Sequence, residues 1–131
     1  MSMPMPAEWS FGATIPAKDL DGTRRFYEDV LGAQVLMEDP GGILYRSGDS
    51  TFSLYPTEYA GTAAHTLGAF VVSDVDKAVA DLRAKGVTFE EYDLPGMKTV
   101  DGIAELGGFK GAWFKDPEGN ILSVITMSAP A

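Results

Sequence analysis

The chain carries one pattern twice, and that repetition limits the folds open to it. In the first half, residues 11–17 alternate around Ala13, Ile15 and Ala17, as a strand does when one face meets helices and the other carries Gly12, Thr14 and Pro16. Asp19 then stands where a helix N-cap belongs. Leu20, Thr23, Phe26, Tyr27, Val30 and Leu31 recur at helical spacing until Gly32 supplies a stop. Three strand-like runs follow, residues 34–38, 43–46 and 51–55, separated by Asp39-Pro40-Gly41-Gly42 and Ser47-Gly48-Asp49-Ser50 turns. In the second half residues 67–72 read as a strand and Asp74 as a cap. Val75, Ala78, Val79 and Leu82 then form an i, i+3, i+4, i+7 stripe that closes at Gly86. Residues 87–92, 109–114 and 121–126 supply three more strands. The order is βαβββ twice, an α+β arrangement.

Superposing the halves pairs Asp19-Leu20-Asp21 with Asp74-Val75-Asp76, and Ser53 with Ser123. The organisation expected is a loose arm at residues 1–10, a first module at 11–55, a linker at 56–65 and a second module at 66–127, all one domain of 131 residues. Zero cysteines exclude disulfides and a thiolate nucleophile, and the single histidine, His65, excludes a multi-histidine zinc site within one chain. A formal net charge of −9 would repel phosphate backbones, so nucleic acid is not expected as a partner. No run is long and apolar enough for a membrane span, and the start MSMPMPAEW lacks the basic and apolar regions of a signal peptide. The expectation is a cytoplasmic protein with no membrane partner.

Beyond the repeat, two short stretches carry a resemblance: RFYEDVLG at residues 25–32, and DPEGN at 116–120 before the last strand. With the two Asp-headed helices they make the chain resemble the vicinal-oxygen-chelate superfamily, the glyoxalase, bleomycin-resistance and dioxygenase fold. The resemblance implies two βαβββ modules forming a curved mixed sheet around a cavity, with helices outside. It also implies where metal-dependent members place their ligands, on the first and last strand of each module. Those positions fall on Gly12, Ser53, Leu67 and Ser123, and glycine, leucine and neutral hydroxyls are poor ligands beside carboxylate or imidazole. His65 lies two residues before Leu67, on the same face of an extended strand. No cofactor is expected.

If those positions mark the cavity face, a period of two extends it to Thr14, Tyr55 and their alternates. The third strands add Tyr45 and Arg46 from one module and Phe109 and Trp113 from the other, with the face of each left open. Met97 lies in a long stretch, residues 94–106, read either as a lid or as a loop packing its own hydrophobes. The carboxylates of Glu90, Asp93, Asp101 and Glu105 form no recognisable pair. The candidate ligand cavity is therefore Thr14, Tyr45, Arg46, Ser53, Tyr55, His65, Leu67, Met97, Phe109, Trp113 and Ser123. The function expected is metal-free binding of an aromatic or largely apolar small molecule by a homodimer, in the manner of a sequestering resistance protein. The alternatives are a glyoxalase-like enzyme and an accessory domain whose cavity is filled by its own side chains.

Overall fold

A computed structural model describes residues 3–126, with Leu106 described by its main chain alone. Met1 and Ser2 of the expected arm and Met127 of the expected second module lie outside the described residues. In chain order the elements are β1 (Ala13–Ala17), α1 (Leu20–Arg25), β2 (Gln34–Asp39), β3 (Gly42–Ser47), β4 (Ser50–Pro56), β5 (Thr66–Val71), α2 (Val75–Ala84), β6 (Asp93–Leu94), β7 (Met97–Lys98), β8 (Ile103–Leu106), β9 (Phe109–Lys115) and β10 (Ile121–Ile125).

Each module closes in the same way. The first sheet runs β1-β4-β3-β2 and the second β5-β10-β9-β8, so in both the last strand lies between the first and the third. β1 pairs with β4 in parallel and β5 with β10 in parallel, while the remaining pairs are antiparallel. A parallel pair needs a crossover connection, and the Asp-headed helix is part of it. The caps act as the sequence implies: the Asp19 carboxylate accepts from Gly22 N at 3.1 Å, and that of Asp74 from Lys77 N at 3.1 Å.

Helix α1 does not run straight to Gly32. Phe26–Val30 forms one π-helical turn, closed by Leu31 N donating to the Phe26 carbonyl at 3.1 Å. Such turns carry no sequence signature at the level of hydrophobic period. A second difference lies in the other module, where residues 87–92 make only an isolated bridge, Phe89 to Phe114, instead of the expected strand. The edge of β9 is divided: β8 pairs with it from Phe109 to Ala112, leaving only its far end for Phe89 and for Glu90 N, which donates to the Trp113 carbonyl at 2.8 Å. The apolar alternation of Val87 and Phe89 is real and both are buried, but the main-chain partner is mostly taken. The 94–106 stretch is neither a bare loop nor an open lid, because it holds the β6–β7 hairpin and β8.

The helix-side faces of both sheets meet in one core. Tyr27, Tyr45 and Leu54 of the first module and Phe114 of the second are all 0 % exposed, and Val79 and Leu122 join the same cluster. Aromatic rings cross the seam: Phe26 lies 6.2 Å from Phe114, and Phe52 lies 6.3 Å from Phe70 at 82°. Burying each such side chain contributes about 1.5–3 kcal/mol, so the modules hold one another by apolar area first.

The DPEGN turn adds a polar tie. The Tyr27 hydroxyl donates to Asp116 Oδ2 at 2.7 Å, Asn120 Nδ2 donates to the same oxygen at 2.9 Å and to the Pro16 carbonyl at 2.8 Å. Glu118 Oε2 accepts from Asp19 N at 2.7 Å and from the Thr23 hydroxyl at 2.9 Å. A turn that reads locally as a strand connection thus joins the second module to the first.

Candidate functional site

With the core on the helix side, the opposite face of each sheet stays open. On the first sheet that face is set by register. Thr14, Ser53, Leu44 and Met37 form one row across the strands, Thr51, Arg46 and Gln34 the next, and Pro16 lies beside Tyr55. Their immediate neighbours Ile15, Tyr45 and Leu54 point the other way into the core, as the period of two requires. The open face therefore carries hydroxyls and one guanidinium among apolar groups, with Met37 61 % exposed and Tyr55 39 % exposed.

On the second sheet Ala69, Ser123 and Trp113 make one row, and Val71, Ile125, Gly111 and Ala104 the next. The Trp113 ring lies over Gly111, where a Cβ would come within 3.2 Å of its edge. Tyr92 meets Trp113 edge to face, with centroids 5.8 Å apart at 83°. Ser123 is 3 % exposed beneath this layer. Tyr92 is itself held by the β6–β7 segment, since its N–H donates to the Thr99 hydroxyl at 2.7 Å.

Of the residues singled out from sequence, Thr14, Arg46, Ser53 and Tyr55 share the first open face, and Trp113, Ser123 and Phe109 share the second. Four do not belong to either. Tyr45 is fully buried on the core side, its hydroxyl donating to Glu28 Oε2 at 2.7 Å. Leu67 sits where the register jumps from Ile121↔Thr66 to Leu122↔Gly68, and it packs against the core. That bulge breaks the strict alternation on which its cavity placement depended. His65 is exposed just before β5, with Nδ1 3.1 Å from the Thr66 carbonyl oxygen, and Met97 is half-buried in β7. Leu44, Met37, Tyr92 and Gly111 were missed. Only Gly111 left a signal, a glycine inside a strand two residues from a tryptophan, which marks a close approach.

Three of the four carboxylates singled out from sequence are paired with cations. Glu90 lies 3.4 Å from Lys115, Asp101 3.5 Å from Arg83, and Glu105 3.8 Å from Lys110. Burial, and then the charge of Asp116, hold the Tyr27 phenol far above its ordinary range. Burial and Glu28 raise Tyr45, and burial with Glu90 raises Tyr92. These phenols stay protonated at neutral pH, as donors.

A family model described as the Glyoxalase/Bleomycin resistance protein/Dioxygenase superfamily matches residues 12–124. The chain belongs to that superfamily. Solved structures of the same fold include lactoylglutathione lyase from Agrobacterium tumefaciens, 20% identical with a TM-score of 0.68, covering 92% of this chain and 95% of that one. TnmS3, an antibiotic binding protein from Streptomyces sp. CB03234, is 20% identical with a TM-score of 0.66, covering 95% of this chain and 100% of that one. At this identity the likeness is one of fold.

Metal-dependent members of the superfamily need donors that this chain does not place there. Gly12 has no side chain, Ser53 and Ser123 offer neutral hydroxyls, and Leu67 faces the core. Among the described residues no three His, Cys, Asp or Glu side chains gather closely enough to hold an ion. The donor set does not fit a divalent metal.

Proposed function

We propose that the chain is a metal-independent small-molecule-binding protein of the superfamily, acting by sequestration, with an aromatic or largely apolar ligand laid on the open sheet faces. The observation that carries this reading is the character of those faces: a tryptophan spread over a strand glycine with Tyr92 behind it on one, and Tyr55, Leu44 and Met37 beside three hydroxyls and Arg46 on the other. Apolar walls with a few polar groups suit a flat ligand. Binding of this kind needs no charge development. One structural neighbour is an antibiotic binding protein, which supports a small-molecule ligand.

Each face is walled on one side only, which supports a homodimer in which a second copy completes the enclosure. The second reading, a glyoxalase-like enzyme, draws on the lyase among the neighbours, and the donor set at the family's ligand positions weighs against its metal-dependent form. Tryptophan fluorescence tests the proposal in a Trp9→Phe background, so that Trp113 alone reports. Saturable quenching by members of a panel of neutral and zwitterionic aromatic compounds is the expected result, with binding followed by calorimetry lost in Trp113→Ala. A flat response across the panel refutes ligand binding on this face. More than half an equivalent of zinc, iron, manganese or nickel per chain after purification would refute metal independence.

A further inference from the structure

Beside the open faces, with which it shares Thr51 and Ala69, lies a gap where the two modules meet. β1 and β5 are each the outer strand of their sheet, and they do not pair with one another. Gly12 and Ala13 on one side and Gly68 and Ala69 on the other border a cavity of about 220 Å³. With four small residues at the seam, Ile15 of β1 and Phe70 of β5 border this space without closing it. An apolar cavity of about 150 Å³ is already large enough to admit benzene.

The walls define what would fit. Phe52 and Phe70 stand nearly perpendicular, at 82° with centroids 6.3 Å apart, and the Tyr27 ring lies 5.7 Å from that of Phe52. The Tyr27 hydroxyl is committed to Asp116, so this residue offers the cavity only its ring. Perpendicular aromatic walls accept a third ring in edge-to-face contact. Besides Tyr27, the polar side chains lining the cavity among the described residues are the hydroxyls of Ser47, Ser50 and Thr51, and Ser50 already donates to the Ser47 carbonyl at 3.0 Å. No described residue lining the cavity is charged. A buried ionic group would find no partner there, and its desolvation would go uncompensated. Phe11 borders the same cavity while remaining 94 % exposed, an apolar ring that gains cover when something occupies the space beside it.

We propose that this seam cavity is a second small-molecule site, specific for a neutral single-ring aromatic compound carrying one hydroxyl, the ring lying among Phe52, Phe70 and Tyr27 and the hydroxyl meeting Ser47 and Thr51. It shares Thr51 and Ala69 with the open faces, but the walls that meet the ring, Phe52, Phe70 and Tyr27, pack on the core side. Neither a metal nor a second copy is required.

The test is a titration of the full chain with phenol, followed residue by residue by NMR, with benzoate and benzylammonium as charged counterparts. Saturable shifts at Phe52, Phe70 and Leu122, with the Trp113 indole signal unmoved, are expected for phenol, and no saturable shifts for either ion. Gly68→Leu fills the cavity: its backbone is unstrained, and a Cβ there meets only Leu122 Cδ2, at 3.7 Å. It should weaken phenol binding by about tenfold or more, equivalent to about 1.4 kcal/mol. Ala13→Leu fills the same space from the other strand and decides the matter if the first variant fails to fold. Shifts that map to Trp113, equal binding of benzoate, unchanged affinity in a folded filled variant, or no saturable shift in the unaltered chain would each overturn the proposal.

Discussion

Gly111 shows how much one missing methyl group can arrange. Its backbone is ordinary, yet a Cβ would lie 3.2 Å from the Trp113 ring and 3.3 Å from Ile125 Cγ2. The tryptophan can therefore lie flat on the sheet only above a glycine. Gly111→Val should push the ring off the face and cost about 1–3 kcal/mol of stability, as overpacking does. Chemical denaturation measures the loss, and a red shift of Trp113 emission in the Trp9→Phe background measures the displacement. An unshifted emission spectrum would mean that the ring does not rest there. Arg46 and Tyr45 make the complementary point, since adjacent residues of β3 face opposite ways and the aromatic one went to the core.

The elements that hold the modules together include one that local reading treats as punctuation. Residues 116–120 form the turn their composition implies, with the Asp116 carboxylate accepting from the N–H groups of Glu118 and Asn120, both at 2.9 Å. The same side chains reach across to Tyr27, Pro16, Asp19 and Thr23. Asp116→Ala should destabilise the fold by about 3 kcal/mol, because it strips partners from the buried Tyr27 hydroxyl and Asn120 amide. A loss no larger than that of an exposed aspartate substitution, in urea unfolding, would refute the tie. Glu118 gives the tie a pH dependence. Burial pushes its carboxyl up, but hydrogen bonds from the N–H groups of Asp19 and Lys18 and from the Thr23 hydroxyl, with the charge of Lys18, outweigh that and lower it. A carboxyl depressed in the folded state contributes stability above its ordinary value of about 4.3, and that contribution disappears as pH falls through the folded value. Its half-buried, solvent-screened setting keeps the contribution at about 1 kcal/mol. The stability difference between the native chain and Glu118→Gln should shrink across that acid range. A difference independent of pH would remove Glu118 from this role.

At the scale of the molecule, the shared core uses the helix-side faces of both sheets and leaves the other faces as two half-enclosures. Leu36 at 38 %, Met37 at 61 % and Val71 at 69 % exposed are large apolar groups on sheet surfaces that a second copy would cover. Light scattering should give twice the monomer mass, and Met37→Glu should shift the equilibrium toward monomer and weaken aromatic ligand binding together. A monomer that binds with full affinity would show that one face suffices.

The two capped helices and the turn chemistry could be read along the chain because each depends on neighbours a few residues apart, and the repeat because it recurs in the same order. Period two also placed Thr14, Ser53 and Tyr55 on one face. What it could not give was Leu67 at a bulge, the π-helical turn after Arg25, the divided edge of β9, or the gap between β1 and β5. Those follow from which distant strand occupies a hydrogen-bonding edge first and how bulky rings from two modules share one core. That competition is settled by the packing of the whole chain, where a one-residue offset turns a side chain from the core to the open face.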